Sequence, residues 1–293
     1  MRLGVDFGGT KIEAALLDSQ GEIVARERVP NPGNYSAAVA AVCELVGRIE
    51  QQTGAGAETI GVAMPGSISP ATGHVRNANS VWLNGKPFIE DLTAALGRPV
   101  RVENDANCFA LSEAVDGAAA GARVVFGVIL GTGCGGGVVV DRKTVEGVNG
   151  IGGEWGHTPL PWPRADEAPV RDWCGRWGCL EQWISGSGFK RWSGLTGREA
   201  DERAQAGDAA ARVALDLLAD RIARSLAVVI DILDPDVIVF GGGLSNITSL
   251  YASVRGKLLA HVFSDVLRTQ VVQNKHGDSS GVRGAAWLFG EGA

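Results

Sequence analysis

What this 293-residue chain has little of narrows it first. It carries five cysteines (Cys43, Cys108, Cys134, Cys174 and Cys179), an odd number scattered along its length. A secreted disulfide framework would be denser and even. Positive charge is short, with 27 Lys and Arg against 33 Asp and Glu and a net charge of −6. That balance argues against non-specific binding to nucleic acid or to a membrane surface, and neither partner is expected. No apolar stretch approaches the ~18–20 residues needed to span a bilayer. The opening Met1-Arg2-Leu3-Gly4-Val5-Asp6 puts charge where a signal peptide needs an apolar core, so a cytoplasmic location is expected. The low hydrophobicity of disordered chains is missing too, because 45% of the residues are hydrophobic and only 20% charged. No Gly-x-x-x-x-Gly-Lys-Ser/Thr occurs, which excludes a Walker-type phosphate loop.

What is abundant is glycine, with 42 residues, roughly twice average usage. The glycines cluster instead of recurring every third position, which excludes collagen and points to tight turns around a ligand. Leu3–Phe7, Ile12–Leu17 and Glu22–Val29 are short apolar runs separated by Gly and Asp, which predicts an antiparallel meander. Helical periodicity runs from Ser36 to about Gln52, with Ala38, Val42, Leu45, Val46 and Ile49 on one face. Strands are predicted at Thr59–Met64 and Val100–Glu103, and Asn104-Asp105 opens a helix to about Val115.

The pattern then returns. Val124–Leu130 is a predicted strand, Gly131 to Gly136 a turn, and Gly137–Val140 another strand. A helix over Ala210–Leu233, with Val213, Leu217, Ile222, Leu226, Val229 and Leu233 on one face, precedes a strand at Asp236–Phe240 that ends in Gly241-Gly242-Gly243. This strand echoes the one ending at Pro65-Gly66. A repeat this long is a duplicated domain, not a solenoid. The halves fall at about residues 1–115 and 116–293 with a cleft between them, a common place for a ligand.

Asp6-Phe7-Gly8-Gly9-Thr10-Lys11 and Leu130-Gly131-Thr132-Gly133 each place small residues after a strand, so backbone N–H groups can converge on an anion. One such turn can be an ordinary hairpin, whereas a duplicated pair suits a polyphosphate. Gly131, Gly133 and Gly136 also fit the dinucleotide fingerprint, but a strand follows instead of the helix that would receive a pyrophosphate. Asp6 lies in an apolar strand, where an ionised carboxylate needs a partner, and Mg²⁺ is the natural one beside a phosphate turn. Asp105 is equally consistent with helix capping and with catalysis. His157, Cys174 and Cys179 have the residue types for tetrahedral zinc, with two buried thiols and a hydrogen-bonded histidine as the alternative.

Asp6–Lys11, Glu103-Asn104-Asp105-Ala106-Asn107, Gly131–Gly133, Glu154-Trp155-Gly156-His157 and Cys174–Glu181 occur in the order seen in the ROK family (repressors, open reading frames and kinases). The chain resembles that family throughout. Around Pro65–Pro70, Asn79, Trp82 and Asp231–Gly243 it is most similar to the bacterial fructokinase, or manno(fructo)kinase, branch. The resemblance implies an α/β, actin-like ATPase fold of two RNase-H-like domains, with the last helix, about 280–293, packing back on the first domain. It implies a homodimer and an ATP- and Mg²⁺-dependent hexose kinase, acting at O6 of D-fructose ahead of mannose, glucose or N-acetylglucosamine.

By the same resemblance, Gly8, Gly9, Thr10, Lys11, Gly131, Thr132 and Gly133 line the ATP phosphates, and Gly241, Gly242 and Gly243 lie near the adenosine. Asn104, Asp105, Glu154, His157 and Glu181 match sugar-contacting positions, with Asp105 as the base, and Gly66 and Asn79 are further substrate positions. The family's structural zinc is held by a His and three Cys. Here His157, Cys174 and Cys179 match, while Asp172 stands where the first Cys would be. A sugar-responsive repressor is the rival function, disfavoured because the first phosphate turn at Gly8 leaves no room before it for a DNA-binding helix-turn-helix. A sugar-binding module without turnover is disfavoured by Asp105 and the two phosphate turns.

Overall fold

The computed structural model describes residues 1–290. Strands β1 (Arg2–Phe7), β2 (Lys11–Leu17) and β3 (Ile23–Pro30) form the meander, followed by α1 (Tyr35–Thr53) and β4 (Ile60–Met64). A small hairpin of β5 (Ser67–Ile68) and β6 (Val75–Arg76) leads to α2 (Phe88–Leu96), β7 (Val100–Asn104) and α3 (Asp105–Val115). Then come β8 (Val124–Leu130), β9 (Cys134–Val140), β10 (Lys143–Thr144), and the helices α4 (Glu181–Ile184), α5 (Gly186–Ser193), α6 (Gly197–Gln205) and α7 (Ala209–Leu233). The chain closes with β11 (Val237–Gly241), α8 (Thr248–Leu258), β12 (Gln270–Gln273) and α9 (Ser280–Trp287).

The duplication is visible in the sheets. One runs β3-β2-β1-β4-β7 and the other β10-β9-β8-β11-β12. In the first, β1 is antiparallel to β2 and parallel to β4, which is parallel to β7. In the second, β11 lies parallel to both β8 and β12. Thus β11 takes the place of β4, as the echo of their sequences suggests. The chain separates into two compact units, one of Met1–Gly121, Gly137–Gly152 and the segment from His276 onward, the other of Ala122–Gly136 and Gly153–Lys275.

In the first unit, α1 starts at Asn34, whose side chain accepts from the Ala37 N–H at 3.0 Å, and ends at Gly54 in the left-handed region. Its buried stripe is Ala38, Val42, Leu45, Val46 and Ile49, as the periodicity predicts. This stripe packs with Leu3, Val5, Phe7, Ile60 and Val62 of the sheet. On the unit's other apolar seam, Ala15 and Leu17 pack with Val282 and Ala286 of α9. Glycine makes that approach possible. A Cβ on Gly61 would stand 2.6 Å from the Ala285 carbonyl carbon, and one on Gly4 would stand 2.6 Å from the Ala286 nitrogen.

Two sequence readings are corrected here. Cys134–Gly136 belong to β9, so the turn after β8 is only Gly131–Gly133. The buried face of α7 is Ala211, Leu215, Leu218, Ala219, Ile222, Ala223, Leu226, Ala227 and Ile230, while Val213 is 59% exposed. Hydropathy missed that face because it includes Asp220, Arg221 and Arg224. These charges are buried in pairs. Glu167 accepts from Arg221 Nε at 2.8 Å and Arg224 Nη2 at 2.7 Å, and Arg224 Nε reaches Asp220 at 3.0 Å. Burial raises the Glu167 pKa, but hydrogen bonds from Arg224, the Arg164 backbone and Arg221 outweigh it and hold the carboxyl down at about 2.

Gly61→Ala should destabilise the protein by about 1–3 kcal/mol, because backbone cannot yield as a side chain does. Gly47, in the middle of α1 with open space where a Cβ would go, should respond in the opposite sense. Gly47→Ala should stabilise by about 0.5–1 kcal/mol. Urea unfolding of both variants checks the pair, and two changes of the same sign would contradict it.

Candidate active site

In the first unit the groups collect at the ends of β1, β4 and β7. Asp6 is half-buried in β1, and Gly8, Gly9 and Thr10 form the turn into β2, which Lys11 opens. The turn is anchored by Asn31, whose Nδ2 donates to the Gly8 carbonyl at 2.7 Å. Burial, then the charges of Asp105 and Glu13, push the Asp6 carboxyl up to about 7, with Lys11 and Arg28 pulling the other way. A carboxylate under such repulsion, beside a glycine turn, fits a Mg²⁺-nucleotide contact, because a cation would remove the repulsion.

Asn104 ends β7 and caps α3. Its Oδ1 accepts from the Ala106 N–H at 2.8 Å, and its Nδ2 donates to the Gly66 carbonyl at 3.0 Å. Gly66 has φ +82°, and a Cβ there would fall 2.6 Å from the Ala78 nitrogen. The cap is therefore Asn104, and Asp105 is the first residue of the helix, exposed, with Oδ1 also 2.9 Å from the Ala106 nitrogen. Asn104 and Asp105 thus share the Ala106 N–H, with Asn104 in the cap position. Asn79 is exposed in the loop after β6.

Sequence reasoning quoted Glu103 only as part of a motif and gave it no role. It is buried, and its Oε1 accepts from the Asn104 N–H at 2.8 Å and from Asn107 Nδ2 at 3.0 Å. Burial lifts its carboxyl to about 7 against those two bonds, with Glu146 adding to the rise. The residue thus braces the two positions around Asp105. The available signal was an acid two residues after exposed Arg101, hence on the same face of β7, yet immediately before the Asn104 cap.

In the second unit, Gly131, Thr132 and Gly243 share a pocket of about 560 Å³ with Ser187, Lys190 and Leu244. The Gly186 N–H donates to the Gly131 carbonyl at 2.7 Å, and Ser187 Oγ donates to the Thr132 carbonyl. Gly242, at φ +79°, lies against the Leu130–Gly131 backbone, where a Cβ would fall 2.6 Å from the Leu130 carbonyl carbon. Gly241 ends β11. The turn after β8 and the glycines after β11 are therefore brought to one place. Glu181 joins them, with Oε2 accepting from the Cys134 N–H at 2.9 Å. Glu154 is exposed just before the short turn Trp155–His157.

His157, Asp172, Cys174 and Cys179 also converge, with their donor atoms all within 4.8 Å of one another. The two sulfurs are 3.7 Å apart, and His157 Nδ1 is 3.2 Å from Asp172 Oδ2. Tetrahedral bonds of about 2.3 Å to sulfur and about 2.0–2.1 Å to nitrogen and oxygen require separations of about 3.8 and 3.4 Å. The donor set fits zinc. His157 Nδ1 is buried and, though 3.2 Å from Asp172 Oδ2, makes no well-aligned hydrogen bond, so it is the atom a metal would satisfy. Asp172 is held in place by Gln182 Nε2, which donates to Oδ1 at 2.7 Å. Burial raises the Cys179 thiol, Cys174 and Asp172 add to it, and together they push it up to about 12.

The ROK family model matches residues 2–291. The chain belongs to the ROK family. Within it, the chain is 40% identical to the N-acetyl-D-glucosamine kinase of Pasteurella multocida, over 99% of each chain. The ROK hexokinase from Thermus thermophilus superposes with a TM-score of 0.86 at 31% identity, covering 98% of this chain and 97% of that one. The ROK glucokinase from Streptomyces griseus, solved with glucose and AMPPNP, gives 0.79 at 28% identity over 98% of both. This ROK protein is a sugar kinase with the actin-like ATPase fold. The fructokinase branch does not emerge from these relatives. No helix among the described residues is long and apolar enough to cross a membrane.

Two predictions follow from the geometry. Protein purified without chelator should hold about one zinc per chain by elemental analysis, and Cys179→Ser should lose it. A carboxylate is a harder donor than a thiolate, so Asp172→Cys should bind zinc more tightly in chelator competition. Less than a tenth of an equivalent in the unaltered protein would contradict the site. The second concerns Asp6. Its folded pKa of about 7 exceeds an unfolded value of ~3.9, so the folded state holds the extra proton between them and stability falls as pH rises across that window. In Mg²⁺-free, nucleotide-free buffer, Asp6→Asn should therefore raise Tm at pH 8, with a gain that shrinks towards pH 5.

Proposed function

We infer that this ROK sugar kinase transfers the γ-phosphoryl group of ATP to O6 of N-acetyl-D-glucosamine. The observation that carries the acceptor is the 40% identity, across 99% of both chains, to the Pasteurella multocida kinase for that sugar. D-Fructose, expected from the resemblance around Asn79 and Trp82, becomes the comparison sugar, together with mannose and glucose.

The chemistry follows from the residues. A sugar hydroxyl is far too weak an acid to lose its proton unaided at neutral pH. Asp105, exposed at the start of α3 and fixed by the Asn104 cap, accepts that proton as O6 attacks the γ-phosphorus. Backbone N–H groups of Gly8–Thr10 and Gly131–Gly133 cradle the phosphates, Lys11 adds a positive charge, and Gly241–Gly243 seat the adenosine. What Mg²⁺ supplies when bound, next to Asp6, is neutralisation of the β- and γ-oxygens. Asn104, Glu154, His157 and Glu181, with Gly66 and Asn79, hold the sugar hydroxyls. The transition state is loose, so most of the acceleration comes from placement and electrostatics. Zinc in this reading is structural, and the working enzyme is a cytoplasmic homodimer.

A coupled ADP-release assay over the four sugars tests the proposal. The kcat/KM for N-acetyl-D-glucosamine should exceed that for fructose by at least tenfold, and the reverse order would refute the acceptor. In the same assay Asp105→Asn should lower kcat by about 10²–10⁴ while KM for the sugar changes much less. A variant that keeps most of its kcat would remove Asp105 from the chemistry.

A further inference from the structure

Trp173 lies between Asp172 and Cys174 in the second unit and is 64% exposed. An indole this exposed contributes little to a core. Its polar edge is nonetheless engaged, because Nε1 donates to Glu181 Oε1 at 2.6 Å. Its ring meets the His157 imidazole edge to face, with centroids 5.1 Å apart and planes at 80°. One side chain thus touches both His157 and Glu181.

The Glu181 carboxylate is consequently held from two directions. Oε1 accepts from the Trp173 indole, and Oε2 accepts from the Cys134 N–H at 2.9 Å. Gly133 leaves the room for this, since a Cβ there would sit 2.5 Å from Oε2. A carboxylate offers about four lone-pair sites, so two accepted bonds leave capacity for two more. An indole N–H can only donate, so it fixes the rotation of the carboxylate without competing for the hydroxyls of a sugar. Glycine at 133 and the backbone at 134 cannot supply this alone, because a single bond leaves the carboxylate free to turn about its last torsion.

We propose that Trp173 is the positioning residue of the acceptor site, clamping Glu181 through its N–H and bracing His157 through its ring, so that the two meet a hexose already oriented. The proposal rests on the reading that Glu181 contacts the sugar. Its physical effect is preorganisation, which lowers the ordering cost of binding the acceptor and leaves the ATP turn untouched.

Trp173→Phe removes the N–H and keeps a ring against His157, whereas Trp173→Gly removes both. With N-acetyl-D-glucosamine, Trp173→Phe should raise the sugar KM about tenfold, the effect of losing one hydrogen bond to a charged group. KM for ATP and zinc content by elemental analysis should stay within twofold of the unaltered enzyme, and Trp173→Gly should raise the sugar KM further. Glu181→Ala and the double variant with Trp173→Phe complete a cycle, in which the second change should add little to the first. If Glu181→Ala leaves the sugar KM unchanged, the reading of Glu181 is wrong and the proposal goes with it. If Glu181→Ala raises the sugar KM but Trp173→Phe does not, or the two effects add fully, the proposal alone is overturned. Loss of zinc or an equal rise in the ATP KM on Trp173→Phe would make Trp173 merely structural, and would also overturn it.

Discussion

The structure depends on places where backbone must meet backbone with no side chain between. In the first unit, α9 reaches the sheet only because Gly4 and Gly61 leave the carbonyls of Val282 and Ala285 room to approach, and Gly284 does the same against Cys108. In the second, Gly242 rests on the Leu130–Gly131 backbone, which holds the turn after β8 against the end of β11. The first contact secures the fold, and the second brings Gly131, Thr132 and Gly243 to one pocket. Both explain why glycine is so frequent here. It is spent on close approach as much as on turns.

A second layer is electrostatic, and it works against stability. Burial pushes Asp6 and Glu103 both up to about 7, and neighbouring carboxylates add to the rise. A fold selected only for stability would place amides or apolar groups at these positions. In the proposed reading Asp6 is retained to meet a cation, and functional sites commonly cost their protein stability. By contrast, the buried acids Glu167 and Asp220 are matched by Arg221 and Arg224 and carry no such tension.

Much of this was legible from the residues. The strand–turn–strand repeats, the stripe on α1 and the start of α3 follow from short-range physics, and the ordered motifs carry the family. The misread parts have identifiable causes. The α7 face escaped because paired charges look like surface. The length of β9 escaped because Cys134-Gly135-Gly136 looks like turn. The contact of His276 Nε2 with Asp116, at 2.8 Å, joins residues 160 positions apart and leaves no short-range mark. The acceptor sugar is not legible from such patterns at all, because no periodicity marks a sugar-contacting side chain. Trp173 belongs to the same class, since nothing in its neighbours' spacing says where an indole N–H will point.

The discontinuity of the first unit bears on how the chain is made. Its sheet emerges early from a ribosome, yet α9 follows only after the whole second unit, and the bond from Arg283 Nη2 to the Gly21 carbonyl joins residues 262 positions apart. Until then, the seam of Ala15 and Leu17 has no cover of its own. The second unit, with only one short excursion, can close before the first is complete, which reverses the usual order in which the N-terminal body folds first. During synthesis that seam of the nascent N-terminal sheet therefore waits for its cover for as long as translation of the intervening residues takes.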